Sequence, residues 1–197
     1  VELSPSSEQK PAGVQDRPSA RENFRSLPYN HRVVISGASV VLVVASFVRF
    51  GLSGHALVGA ILAPTLVLLA AIDLDRRLIP DVIVLPALAA VLILQIAFYP
   101  EHTLEWVLAM FGAALFLFIP MLISSAAMGM GDVKLAALLG AALGKSVGAA
   151  LFTGLLAGGA YGLVVFAREG LAARRKAIAF GPFLALGGLV VFFLGGH

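Results

Sequence analysis

The chain contains no cysteine. Among these residues that excludes disulfides, cysteine-based zinc sites and thiol catalysis, and it leaves the redox compartment open. Charge is also scarce: Asp, Glu, Lys and Arg make up 13% of 197 residues, against about a quarter in ordinary soluble domains. The four histidines, His31, His55, His102 and His197, show no HExxH or other ligand spacing, so neither a metal nor another cofactor is expected. A formal net charge of +3 is too small and too dispersed for a nucleic-acid surface, and no nucleic-acid partner is expected. Apolar residues are abundant instead: the chain is 59% hydrophobic, with a mean hydropathy of +0.96. Those values describe a polytopic membrane protein with one integral domain and the lipid bilayer around it.

Residues 1–32 are polar, hold three prolines before Arg21, and read as a disordered cytoplasmic tail. No apolar run starts before Val33 and no clean cleavage site follows it, so a secretory signal is not expected. From there the apolar runs cover 33–48, 56–72, 82–99, 104–127, 133–144, 146–167 and 177–195. None shows the alternation of barrel strands. The expected fold is an all-α transmembrane bundle of about seven spans: an additional N-terminal helix and turn over 33–55, then a six-helix domain over 56–195. The run 133–144 would rise only about 18 Å as a helix, against a hydrocarbon core of about 30 Å. It must begin in a dip of the bilayer, extend past Lys145, or lie in a protein-lined cavity. Pro120 predicts a kink in the fourth run. Gly154, Gly158 and Gly162, four residues apart, predict close packing of the sixth helix on a neighbour.

Basic residues set the expected orientation. With the N-terminus in the cytoplasm, the inner segments carry Lys10, Arg17, Arg21, Arg25, Arg32, Arg76, Arg77, Lys134, Arg168, Arg174, Arg175 and Lys176. Those are 12 of the 14 Lys and Arg, leaving Arg49 and Lys145 near the outer ends. The positive-inside rule then places Asp73 and Asp132 together at the cytoplasmic membrane face.

Asp132 stands in Gly129-Met130-Gly131-Asp132-Val133-Lys134-Leu135, at the mouth of an apolar helix. An ionisable side chain at such a place is costly, about 2.5–3.5 kcal/mol at a bilayer centre, and marks function more often than not. Its plainest role is a helix N-cap, which does not account for the two glycines. Asp73 ends the run Ala70-Ala71-Ile72 and should sit deepest of the three acids in its loop; Asp75 and Asp81 read as solvated interface charges. Two carboxylates a few ångströms apart cannot both ionise easily, so one stays charged while the other holds a proton. The first can take a proton from water as it attacks a peptide carbonyl, and the second can protonate that carbonyl. Gly129 and Gly131 would leave an extended substrate backbone unobstructed. Lys134 reads as an interfacial anchor for its helix.

The segment Gly129 to Leu135 resembles the GxGD signature of the type IV prepilin peptidases. Asp73-Leu74, followed by Leu78-Ile79-Pro80-Asp81, resembles their first-aspartate motif. Phe180-Gly181-Pro182-Phe183-Leu184-Ala185-Leu186-Gly187 is similar to the final helix of the family. The three stand in the expected order over roughly 56–195. The resemblance implies an intramembrane aspartyl endopeptidase of a bacterial or archaeal plasma membrane, with Asp73 and Asp132 as the catalytic pair. It further implies prepilin or pseudopilin substrates whose short basic leaders are cut at the cytoplasmic face, and acids such as Asp75 and Asp81 would attract those leaders. Without cysteine, the chain resembles the short, peptidase-only members that serve tight-adherence pili, and N-methylation of the product is not implied.

Three other readings have a foothold in the sequence. Gly51-Leu52-Ser53-Gly54 spells the GxSG of rhomboid-type serine proteases, but Ser53 and the nearby His55 look like turn residues rather than a nucleophile and base. A transporter or pilus-assembly protein could use Asp73 and Asp132 as proton or partner sites. Gly144-Lys145-Ser146 is similar to the end of a nucleotide-binding loop, yet Leu139 occupies the place of its first glycine.

Overall fold

The computed structural model describes residues 29–123, 129–169 and 179–195, and the regular structure among them is entirely helical. Most of the predicted 1–32 tail, and the basic residues Arg174, Arg175 and Lys176, lie outside the described residues. The helices are α1 Tyr29–Phe50, α2 Gly54–Arg76, α3 Asp81–Phe98, α4 Thr103–Ile123, α5 Met130–Leu143, α6 Val147–Glu169 and α7 Gly181–Leu194. Single 3-10 turns, Pro100–His102 and Gly144–Ser146, join α3 to α4 and α5 to α6. Five apolar helical stretches are long enough to cross a bilayer, with α5 and α6 together forming one of them. The chain is a multi-pass membrane protein.

Several boundaries differ from the sequence reading. Helix α2 runs on to Arg76, so Asp73 continues the apolar helix as expected, while Asp75 belongs to its last turn and not to a loop. It stops at Arg77, which takes the left-handed conformation (φ 52°) and donates its N–H to the Asp73 carbonyl at 2.8 Å. Helix α5 starts at Met130, three residues before the apolar run. Helix α4 continues through Pro120 to Ile123.

The short α5 lies inside the bundle. From Asp132 onward its residues are buried almost without interruption, among them Val133, Leu135, Ala136, Leu138 and Leu139. A helix apolar on all sides is one surrounded by protein, so the protein-lined reading of its length is the one realised. Small residues make this enclosure feasible: a Cβ on Gly140 would run into the Ala109 carbonyl of α4. Gln95 of α3, fully buried, donates to the Ala142 carbonyl near the end of α5 at 2.9 Å. The predicted glycine packing of α6 is present at Gly154 and Gly158, which face Phe183 and Phe180 beside α7. From the other side, a Cβ on Gly187 would meet the Ala150 carbonyl. Outside this core, α4 presents Leu104, Leu108, Phe111, Leu115, Ile119 and Leu122 outward, a single apolar stripe suited to lipid.

Candidate active site

Among the described residues the buried polar side chains are Ser46, Gln95, Asp73 and Asp132, so the two aspartates are the buried charged groups. They are 6% and 8% exposed. Asp73 sits one turn before the end of α2 and Asp132 in the first turn of α5. The segment that follows α2 packs on the first turn of α5, where a Cβ on Gly131 would stand 2.7 Å from the Ile79 Cβ.

Each carboxylate is held by a backbone N–H. Asp132 is the third residue of α5, and its Oδ2 accepts from the Gly129 N–H at 3.3 Å. This is the reaching-back half of a capping box. The N-cap itself is Gly129, which corrects the expectation that Asp132 caps the helix: the helix begins earlier, and the acid closes its start from inside. Asp73 is held from across the chain. The Gly181 N–H, in the first turn of α7, donates to Asp73 Oδ2 at 2.9 Å. Proline at the next position suits a helix start because its missing N–H is not needed there. A Cβ on residue 181 would lie 2.8 Å from Asp73 Oδ2 and 3.1 Å from its Cγ, so the contact requires glycine.

The two glycines of the GxGD segment divide their work. A Cβ on Gly131 would stand 2.7 Å from the Ile79 Cβ, so this glycine lets the first turn of α5 seat against the segment joining α2 to α3. Around Gly129 the nearest atoms would be 3.9 Å away, leaving that side open. The expectation that both glycines clear a path for substrate therefore holds space only at Gly129.

Lys134 and Asp81 also differ from their sequence readings. Lys134 Nζ lies 2.6 Å from Asp81 Oδ1, with the side chains 28% and 31% exposed. Asp81 is thus an ion-pair partner and not simply a solvated charge, while Lys134 ties α5 to the first residue of α3. Asp75 remains exposed, as expected. The loop after Asp73 is consequently fixed to the helix of Asp132 twice, through Ile79 under Gly131 and through Asp81 on Lys134.

The rival motifs resolve into architecture. Ser53 caps α2, its side chain accepting from the Ala56 N–H at 3.4 Å, at the end of that helix opposite Asp73. His55 Nδ1 is engaged by the Tyr99 hydroxyl at 2.5 Å. Gly144 adopts φ 53° against the Trp106 ring, and Lys145 pairs with Glu105 at 2.7 Å, which makes this segment a turn.

Sequence reasoning singled out both aspartates but not their supports. The Gly181-Pro182 start of α7 was a readable helix signal; that its N–H would reach Asp73, 108 positions away, was not.

Comparison with known proteins follows the same residues. A family model described as the type IV leader peptidase family matches residues 60–165, more than half of the chain. A prepilin leader peptidase/N-methyltransferase of Bacillus subtilis is 32% identical over 161 residues, covering 78% of this chain and 62% of that protein. One from Burkholderia pseudomallei is 33% identical over 168 residues (82% and 54%), and one from Xanthomonas campestris 34% over 167 (79% and 56%). The chain thus spans between about half and three-fifths of the length of these relatives. No solved structure matches it. With GxGD and the first aspartate both inside the matched region, the chain belongs to the type IV leader peptidase family.

Proposed function

We propose that this protein is an intramembrane aspartyl endopeptidase that removes the basic leader of prepilins or pseudopilins at the cytoplasmic membrane face. The observation that carries the reading is the burial of two acids, Asp73 and Asp132, each accepting from a backbone N–H at a helix start. Relatives named prepilin leader peptidases supply the substrate class.

One carboxylate of the pair is ionised and the other holds a proton. The ionised member takes a proton from water, whose oxygen bonds to the scissile carbonyl carbon. The protonated member gives its proton to the carbonyl oxygen. When the tetrahedral intermediate collapses, the C–N bond breaks, the leaving nitrogen takes a proton from the first aspartate, and the carbonyl re-forms by returning its proton to the second. The dyad ends with one proton, as it began. The open side at Gly129 leaves room for an extended peptide, and exposed Asp75 offers a charge to a basic leader.

Purified protein in lipid vesicles, incubated with a prepilin, tests this. The expected product is a single new N-terminus between the basic leader and the apolar helix, mapped by mass spectrometry. An intact prepilin, or cleavage within its soluble domain, would overturn the reading.

A further inference from the structure

Three positive-φ residues stand among the described ones, and two of them are glycines, Gly51 (φ 63°) and Gly144 (φ 53°). The third is Arg77 (φ 52°). A residue with a Cβ is strained in this conformation, and glycine or asparagine is the stable choice at such a helix end. Strained residues persist where the surroundings hold them, and they gather at functional sites. The attraction of a basic side chain to a helix C-terminus is met already by Arg76, in the last turn of α2. Arg77 also stands at the peptidase site. Its N–H donates to the Asp73 carbonyl at 2.8 Å, and two residues on, Ile79 packs against Gly131, next to Asp132.

We propose that the Arg77 guanidinium binds main-chain carbonyl groups of the substrate on the leader side of the scissile bond. This role rests on the peptidase reading above and adds a substrate-binding residue to it. A peptide cut at the start of an apolar helix is extended there, so its carbonyl oxygens lack helical partners. At a membrane face, acceptors left without donors are costly. The donors already placed on the site's acids are spent within the protein. The Gly129 N–H goes to Asp132, the Gly181 N–H to Asp73, and the Lys134 ammonium to Asp81 at 2.6 Å. Arg77 is exposed and forms no ion pair among the described residues. Its guanidinium carries five N–H donors in a fixed fork. Peptide carbonyls are acceptors that such a group attracts, while exposed Asp75, two positions earlier, is left for the basic side chains of the leader.

Prepilin cleavage by the full chain in proteoliposomes is compared for Arg77→Asn, Arg77→Gly and Arg77→Lys, with thermal midpoints taken on the same preparations. Asparagine and glycine suit φ 52° better than arginine does, so both variants should keep or raise the midpoint. Each should nonetheless raise KM by about tenfold or more, as expected for losing charge-assisted hydrogen bonds to substrate, with kcat within a few-fold. Arg77→Lys keeps the charge and N–H donors without the fork, and its KM should lie between those of the parent and Arg77→Asn. A parental KM in the asparagine and glycine variants, a loss in kcat alone, a KM rise that comes with a lowered midpoint, or a lysine variant no better than the asparagine one would overturn the proposal while leaving the peptidase reading intact. A prepilin left uncut by the parent chain would overturn both.

Discussion

Severing the ion pair between Lys134 and Asp81 should reduce activity more than stability. The pair joins the first residue of α3 to the second turn of α5, and those elements carry the loop after Asp73 and the helix of Asp132. Its side chains are about three-tenths exposed, so solvent and headgroups screen it and its contribution to folding is about 1 kcal/mol. Catalysis is more sensitive to position, because a misplacement of about 1 Å can lower a rate about 10²-fold. Asp81→Asn and Lys134→Met are therefore expected to lower kcat for leader cleavage by about 10- to 100-fold, while each shifts the thermal midpoint by a few degrees. Since the two side chains act as a unit, the double variant should lose little more than the worse single one. A double-mutant cycle on kcat/KM in proteoliposomes then shows a coupling of about 1.4–2.7 kcal/mol, the size of one single loss. Losses that multiply, or single variants with parental kcat, would refute the idea that this contact sets the spacing of the aspartates.

The two GxGD glycines should separate on substitution. Gly131→Ala drives a Cβ to 2.7 Å from Ile79 and should cost about 1–3 kcal/mol of stability along with most of the cleavage, whereas Gly129→Ala meets nothing closer than 3.9 Å and should keep activity within a few-fold; assays of midpoint and turnover on the same preparations decide it. Gly181→Ala places a methyl 2.8 Å from Asp73 Oδ2, and should lower kcat by about 10²-fold through a misplaced carboxylate, with circular dichroism and midpoint near those of the parent. Because the chain lacks cysteine, single cysteines report topology directly. Asp75→Cys should react with an impermeant maleimide only from the cytoplasmic side and Leu52→Cys, 99% exposed between α1 and α2, only from the other; labelling of both from one side would remove the cytoplasmic-face assignment.

The apolar runs announced the helices because a bilayer admits few other solutions, and the glycine-flanked acid announced the site. Boundaries were less legible. Asp75 reads as a loop residue because the apolar run stops at Ile72, yet backbone hydrogen bonding carries α2 through Asp73 and Asp75 to Arg76. The same effect places the start of α5 at Met130, where glycines conceal a helical turn. Asp81 and Lys134 lie 53 positions apart and each looks like an ordinary interfacial charge until the fold brings them to 2.6 Å. The Gly181 donor was hidden for another reason: a backbone N–H leaves no side-chain signature, and only the absent Cβ hints at what it approaches.

The central claim is that Asp73 and Asp132 together perform the hydrolysis. The direct measurement is single-turnover cleavage of a prepilin by Asp73→Asn and by Asp132→Asn in proteoliposomes, with folding of each confirmed by its thermal midpoint. Neutral asparagine keeps the shape of the side chain and removes the exchangeable carboxyl proton. Each variant should therefore fall by at least about 10³-fold, a loss within what acid–base catalysis contributes, and the double variant should be no slower than the slower single one. Cleavage at a near-parental rate in either folded variant would contradict the account.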